Sequence, residues 1–311
     1  MMALSRIWNR YWFTPTTGTH LALGRIFFFY QLVRTSRGLD SWAWAVFSRA
    51  IWLPVSFFDK FGIPAFSAPV LRTCDALFYV SSFLASIGLF TRVSMATSAT
   101  LALYLLGLPN DFGKISHGSN LAVIFCGFLA LSRAGDRLSI DALIRRLRNR
   151  PLKSPEKSGE YTWPIRVAWL CVVIMYGSAG YAKETQTGIA WATSDNLRML
   201  LLRHQYSHGV PTQLGVRLAA HPDLCHWFAG AAMATELFSP LALFHRYLRV
   251  VFGSGLCAMQ IGIYLMMGIL FDYPIYMILA FWIPWGSIVD FGFARLQRQA
   301  TVARWTAALG A

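Results

Sequence analysis

Long apolar stretches, separated by short polar segments, recur along nearly the whole chain. Eight of them approach the roughly 20 apolar residues that an α-helix needs to cross a bilayer. They lie at about residues 21–33, 76–90, 93–108, 121–131, 167–182, 227–244, 250–270 and 274–289. The first and the fourth are shorter than a full span. The pattern predicts an all-α fold: a polytopic membrane helix bundle of about eight transmembrane helices.

Composition and charge decide how this bundle lies in the membrane. The chain is 56% hydrophobic and 14% charged, yet its formal net charge is +14. A basic soluble fold would indicate nucleic-acid binding, whereas a basic membrane protein carries its excess in cytoplasmic loops. With the N-terminus inside, eight spans leave 17 basic and 5 acidic residues inside, against 10 and 8 outside. This asymmetry predicts an N-in, C-in, multi-pass protein of the cytoplasmic (inner) membrane, with the lipid bilayer as partner and no nucleic acid.

The polar segments divide the chain around the bundle. The sequence predicts an interfacial N-terminal helix at residues 1–20 and the transmembrane domain at residues 21–293. A basic cytoplasmic tail is predicted at residues 294–311. Within the domain we expect a basic cytoplasmic loop at 133–166 and an extracytoplasmic loop at 184–226. Ser139–Asp141 predicts the cap of a short amphipathic helix. The basic run Arg145–Lys157 is typical of a loop that sets topology, and an anionic-lipid or nucleic-acid patch is the alternative.

Charged residues inside membrane spans are costly and call for a partner or a function. Arg25 lies in the first span and Glu236 in the sixth. Their opposite charges predict a buried intramembrane pair. The alternative is a transporter or lipid-binding bundle that uses both charges at the midplane, although no inverted repeat accompanies them.

Lys183 stands at the outer end of the fifth span, in MYGSAGYAKETQTGIAW. Tyr176, Gly180 and Lys183 follow the spacing i, i+4, i+7 and therefore share one helix face. Two interpretations stay open. The lysine is either a snorkelling interfacial residue, charged and idle, or it lies in an apolar pocket, where the neutral amine is favoured and can act as a base. Composition alone favours the first.

Histidines gather on the predicted outer side. His204 and His208 have the i, i+4 spacing of zinc ligands on a helix, but no carboxylate ligand accompanies them, so no metal is predicted. His117, in KISHGSN, faces the same side as Lys183.

Several segments, taken in order, resemble the HTTM (horizontally transferred transmembrane) family and the membrane domain of vitamin K-dependent gamma-carboxylase. The most specific is AGYAKETQTGIAW (Ala179–Trp191), which is similar to the AG-x-x-K…G-x-x-W region of the family. The segments LGRIFFFYQLV, IGLFTRVS, KISHGSNLAVIFCGFLALSRAGDRLSID and ELFSPLALFHRYLR resemble further parts of it. The resemblance covers nearly the whole chain, and the topology of the family agrees with the charge asymmetry.

The resemblance implies a catalytic chemistry. Lys183 would be the base that deprotonates reduced vitamin K (menaquinol), after which O2 reacts and CO2 adds to a glutamate of a peptide or protein substrate. His117 would be the active-site histidine. The predicted substrate- or quinone-binding residues are Tyr176, Gly180, Trp191 and Asn120.

Two departures from the family pattern define an alternative. The chain stops at Ala311 without the large extracytoplasmic domain of the animal carboxylase, and Gln260 stands near where many relatives have a histidine. One expectation is therefore a carboxylase-like enzyme. The other is a non-carboxylating HTTM protein that acts in the maturation or export of a small peptide.

Overall fold

The computed structural model describes residues 2–113, 118–150, 156–207, 210, 212–292 and 295. The described part of the chain is mostly helical, with one short antiparallel pair of strands. The prediction of an all-α fold is confirmed. Among the described residues, three helices have the length and hydropathy needed to cross a membrane, which indicates a membrane-associated protein.

The elements follow one another along the chain with short connections. The α-helices among the described residues are α1 (Met2–Trp12), α2 (Thr19–Arg37), α3 (Ser56–Lys60), α4 (Ala68–Ile87), α5 (Thr91–Leu105), α6 (Asn120–Leu131), α7 (Ile140–Leu147), α8 (Trp163–Thr187), α9 (Ala190–Thr193), α10 (Asn196–Ser207), α11 (Leu214–Ala219), α12 (Pro222–Phe238), α13 (Arg246–Met267) and α14 (Asp272–Phe281). Short 3-10 helices cover Ser41–Val46, Arg49–Ile51, Leu108–Phe112, Gly159–Tyr161 and Ser239–Leu243. Strands β1 (Thr16–Thr17) and β2 (Lys157–Ser158) pair antiparallel.

The candidate spans coincide with part of the predicted set. Ala68–Ile87, Gly159–Thr187 and Arg246–Met267 meet the criteria for length and hydropathy. Asp272–Phe281 and Trp285–Gly292 form a fourth candidate that is bent by 44°. Pro284 lies at this bend and lacks the N–H that would continue the helical ladder. The other four predicted spans lie on α2, α5, α6 and α12, which are shorter or more polar.

Several helices begin or end at residues other than the predicted span ends, and local residue types explain the differences. Gly88, with φ of 73°, ends α4, and Gly268, with φ of 71°, ends α13. Both are the left-handed C-terminal residue that glycine favours. The predicted span at 227–244 changes to a 3-10 helix at Ser239, next to Pro240. By contrast, α8 continues beyond residue 182 to Thr187, so that Lys183 lies within the helix.

The predicted loops contain regular structure. The segment 133–166 carries the predicted short helix, α7, and strand β2, which is not predicted. The segment 184–226 carries α9, α10 and α11, none of which is predicted. In the segment 1–20, α1 is helical and exposes Leu4, Ile7 and Trp8, while its position at the membrane surface stays a prediction. The tail 294–311 lies outside the described residues except for Arg295.

The chain divides into two compact units, of which the first comprises residues 1–116, 122–166 and 283–311. Here α4 packs against both α2 and α5. The hydroxyls of Ser82 and Ser98 share a hydrogen bond of 2.8 Å between α4 and α5, and Ser86 Oγ donates to the carbonyl of Ile26 on α2 at 3.3 Å. Such polar contacts between small residues are typical of helix packing in membranes.

Arg25 is fully buried in this first unit, and its partner is not the predicted one. Its Nη2 donates to the carbonyl of Leu138 at 2.6 Å, and Asp141 is close enough to interact with its charge. A Cβ atom on Gly88 would lie 2.3 Å from Arg25 Nη1 and 2.3 Å from Ser139 Cβ. Three segments far apart in sequence therefore meet around the guanidinium, and the predicted pair with Glu236 is replaced by these contacts.

The segment Ser139–Asp141 caps two helices. Ser139 Oγ accepts a hydrogen bond from Ala142 N at 3.0 Å, which confirms the predicted cap of α7. The Asp141 carboxylate accepts from Phe90 N at 3.0 Å, Thr91 N at 2.7 Å and Thr91 Oγ1 at 2.7 Å, so it caps α5 as well. Burial alone would raise the pKa of Asp141, but these hydrogen bonds outweigh burial and hold the pKa below its ordinary value.

The second unit comprises residues 117–121 and 167–282. In it α12 packs against α9, α10, α11 and α13, and α13 packs against α10, α11 and α14. One buried apolar cluster contains Leu201, Ala219, Cys225 and Met267. Another contains Ala192, Ala229 and Met233, with Trp191 packed against it.

Large apolar side chains cover the outer faces of helices in both units. Val93, Leu131, Ile174, Val250 and Val251 are each more than half exposed. Water-soluble proteins rarely expose so many large apolar groups together, whereas a lipid environment accommodates them. This surface agrees with a membrane-associated protein.

Candidate functional site: a half-buried lysine–glutamate pair

Lys183 lies in the last turns of α8 and forms a hydrogen-bonded ion pair with Glu236 on α12. The lysine side chain is 23% exposed and the glutamate side chain 9% exposed. Water screens an ion pair at such low exposure much less than it screens a surface pair. Lys183 therefore fits neither interpretation fully: its amine is not held in open water, and it is not alone in an apolar pocket but is paired with a carboxylate.

Trp191 forms the third side of this site. Lys183 Nζ lies 4.4 Å from the centroid of its ring, within the range of a cation–π interaction. Gly188, with φ of 58°, ends α8, and its N–H donates to the carbonyl of Glu184 at 2.9 Å. Trp191 N then donates to the carbonyl of Gly188 at 3.1 Å. Because glycine adopts this backbone readily, the spacing between lysine, glycine and tryptophan folds the indole back over the amine.

A close approach of two helices brings Glu236 to Lys183. A Cβ atom on Gly180 would lie 2.5 Å from the backbone N of Leu237, so α8 and α12 nearly touch there. One turn earlier, a Cβ atom on Gly177 would lie 3.3 Å from Pro240. The helix face that carries Gly180 and Lys183 therefore packs against α12.

Two more polar groups lie in the apolar interior of the second unit. Tyr176 is 4% exposed, Gln260 on α13 is 5% exposed, and their side chains are adjacent. The two side chains interact with each other, but within the described part of the chain neither the Tyr176 hydroxyl nor Gln260 Oε1 forms a hydrogen bond of good geometry. Buried polar atoms without partners are costly. The Tyr176–Gln260 contact therefore satisfies these buried polar groups only weakly.

The structure does not bring all the predicted residues together. His117 lies outside the described residues, and so does His208. Asn120 is the first residue of α6, and its side chain is exposed rather than buried with the polar groups around Lys183. His204 lies in α10, and among the described residues no three His, Cys, Asp or Glu side chains form a group that could hold a metal.

The sequence pattern does not assign Glu236 and Gln260 to the site around Lys183. The pattern pairs Glu236 with Arg25, and it marks Gln260 only as a departure from the family. Each is a polar residue within an apolar span, which is the signal that points to it. Which polar groups face each other across helices depends on packing and cannot be read from spacing.

Comparison of the chain with protein-family models, with curated proteins and with solved structures finds no match. The resemblance to the HTTM family therefore depends on the short segments that carry it, and what it implies about function is a proposal.

Proposed function

We propose that the chain is a membrane protein of the HTTM type in which Lys183 removes a proton from a bound quinol. The observation that carries this proposal is the ion pair of Lys183 and Glu236 beneath the Trp191 ring. In the gamma-carboxylase pattern, the lysine at this place of the sequence is the base. Here the lysine is half-buried, held by a carboxylate and next to an aromatic face.

The chemistry follows from the three side chains. In the ion pair Lys183 is an ammonium, so it must first release a proton to water to become the acceptor. The neutral amine then accepts the quinol proton, and the ammonium that re-forms is stabilised by the Glu236 carboxylate and by the Trp191 ring. Both groups are already in place, so little reorganisation accompanies the proton transfer. Low exposure strengthens both interactions relative to water.

The surroundings fit a quinol. Trp191 offers a flat apolar face, and the buried Tyr176–Gln260 pair offers polar groups that a quinol hydroxyl would hydrogen-bond by replacing their weak mutual contact. Reduced vitamin K (menaquinol), when bound, would supply an acidic hydroxyl and the electrons for reaction with O2. Addition of CO2 to a glutamate of a peptide substrate is the further step that the resemblance implies.

We further propose eight spans with both termini in the cytoplasm. The support is the charge asymmetry of the sequence together with the apolar helices and their exposed outer faces. In this topology Lys183 lies on the extracytoplasmic side. Alkaline phosphatase fused after Asp195 should then be active, and the same fusion after Arg150 inactive; the reverse result would contradict the topology.

The activity test uses the purified protein in lipid nanodiscs with reduced vitamin K, O2, labelled bicarbonate and a glutamate-containing peptide. We expect vitamin K epoxide and fixed label from the wild type. Lys183→Ala should lower the rate by about 10²–10⁴-fold, the range typical of a general base. Glu236→Gln should lower it as well, because the ammonium loses its charged partner. Lys60→Ala, at an exposed lysine, is the matched control and should have no effect.

The products separate the alternatives. Epoxide without fixed label would favour a quinol-dependent but non-carboxylating protein. Neither product, or equal activity in Lys183→Ala and wild type, would contradict the role of Lys183 as base. A protein that acts in maturation or export of a small peptide would then be the remaining HTTM-type function.

A further inference from the structure

A cavity of about 210 Å³ in the first unit has three arginines in its wall. It lies between the start of α5, the turn at 132–136 and the helix α7. The arginines are Arg92, Arg133 and Arg145, and two aspartates, Asp136 and Asp141, also line it. The wall therefore carries one more positive than negative charge.

The two aspartates already have donors within the protein. The Asp141 carboxylate accepts three hydrogen bonds from the N-terminus of α5. Asp136 Oδ2 accepts one from the Tyr161 hydroxyl at 3.4 Å. The charge of Asp141 also interacts with Arg145, so the aspartates neutralise the arginines in part. The wall keeps a net positive charge, which favours an anion.

Arg145 is the cavity residue with the clearest unused hydrogen-bond donor. In the described part of the chain its Nη1 is buried without a hydrogen-bond partner. A buried guanidinium N–H without an acceptor is costly, and a phosphate oxygen would satisfy it. Arg133 Nε lies 3.9 Å from Glu160 and Arg92 is exposed, so both guanidinium groups can contribute further donors at the mouth of the cavity.

The helix that carries Arg145 has the character of an interfacial helix. Leu143, Ile144 and Leu147 are exposed on α7, beside its basic residues. Such a helix lies in the plane of the interface with its apolar side chains toward the acyl chains. In that position the cavity would lie at the depth of lipid headgroups. A lipid phosphate is therefore a better-placed ligand than a phosphate free in solution.

We propose that this cavity binds the phosphate group of an anionic membrane lipid through Arg92, Arg133 and Arg145. The proposal does not depend on the chemistry of Lys183. It narrows the anionic-lipid alternative for the run Arg145–Lys157 to one cavity, and adds Arg92 and Arg133 from outside that run.

The test titrates purified protein in detergent with phosphatidylglycerol or phosphatidylcholine and counts bound lipids by native mass spectrometry. The variant Arg92→Gln/Arg145→Gln is compared with Arg146→Gln/Arg148→Gln, which removes the same charge from residues outside the cavity wall. About 0.5 M salt shortens the range of non-specific attraction. Loss of a charge-assisted hydrogen bond should weaken phosphatidylglycerol binding by roughly tenfold in the first variant only. Arg145→Lys, which retains the charge, should weaken it less.

Each other outcome counts against the proposal. Equal weakening in both double variants would mean that the basic surface acts without a site. No weakening in either would mean that the cavity binds no lipid. If inorganic phosphate displaces phosphatidylglycerol at equal concentration, the ligand is free phosphate and not a lipid. Far-UV circular dichroism and gel filtration of the Arg145→Lys protein confirm that the site is folded when it is tested.

Discussion

The turn between α4 and α5 depends on the absence of a side chain at residue 88. Gly88 has φ of 73°, and a Cβ atom there would lie 2.3 Å from Arg25 Nη1, 2.3 Å from Ser139 Cβ and 2.8 Å from Ser139 Cα. Contacts under 3 Å with backbone-attached atoms cannot be relieved by rotating a side chain. Gly88→Ala should therefore displace the segment that holds Arg25.

Three contributions set the magnitude. The left-handed conformation costs alanine about 1 kcal/mol relative to glycine. Overpacking against Ser139 costs roughly 1–3 kcal/mol. Weakening the hydrogen bond from the buried Arg25 to the Leu138 carbonyl costs about 1.5–3 kcal/mol, because the donor is charged and has no access to water. Because a single displacement of the segment around Ser139 underlies the second and third contributions, the three do not add in full. We therefore expect a loss of about 4 kcal/mol in the free energy of unfolding.

The structure offers a matched control. Gly62 has φ of 62°, and a Cβ atom there would meet nothing within 4 Å, so Gly62→Ala should cost only the conformational contribution of about 1 kcal/mol. Reversible unfolding of both variants in mixed micelles with increasing sodium dodecyl sulfate gives the two free energies. Equal losses at residues 88 and 62 would refute the role of the Arg25 contacts.

Two further predictions concern helix contacts and caps. Gly180→Ala should destabilise the second unit by about 1–3 kcal/mol, because the added Cβ meets the backbone of Leu237. Gly230→Ala, whose Cβ has its nearest contact at 3.9 Å, is the control and should be neutral or stabilising. Equal effects of the two variants in unfolding experiments would contradict the close approach of α8 and α12. Asp141→Asn should cost about 2 kcal/mol at neutral pH. The pKa of Asp141 is lowered in the folded state, so the carboxylate's contribution to the free energy of unfolding is complete above about pH 4. This contribution is lost as the pH falls through the folded pKa. In a pH series, the unfolding free energies of Asp141→Asn and wild type should therefore converge in acid.

The helical character and its approximate positions follow from the sequence because apolar runs of this length satisfy their backbone only as helices in lipid. The end points do not follow from the apolar pattern. Polar residues such as Arg72 and Asp75 lie inside α4, where the pattern predicts a loop. Composition identifies the segment that favours lipid, whereas the helix extends until a residue such as Gly88 or Pro284 ends it.

The local part of the candidate site is also readable from the sequence. Tyr176, Gly180 and Lys183 share a helix face by spacing, and Gly188 places Trp191 by a turn of a few residues. The long-range part is not readable. From the sequence, Glu236 could pair with either of two cations, Arg25 or Lys183. The apolar pattern does not decide between them, because it places one inside a span and the other at the end of a span.

The choice between these cations has a physical reason. Arg25 has several donors in a fixed fork: Nη2 donates to the Leu138 carbonyl, Nη1 lies where Gly88 leaves room, and the charge of Asp141 is nearby. Lys183 concentrates its charge on one nitrogen and therefore gains most from a single carboxylate and an aromatic face. Exchanging the two residues would leave each in the wrong surroundings. A guanidinium at residue 183 would meet the one Glu236 carboxylate with donors to spare, and an ammonium at residue 25 would lack the second nitrogen that lies beside Gly88. A proton-accepting role at residue 183 thus requires lysine, because arginine in the same pocket stays protonated.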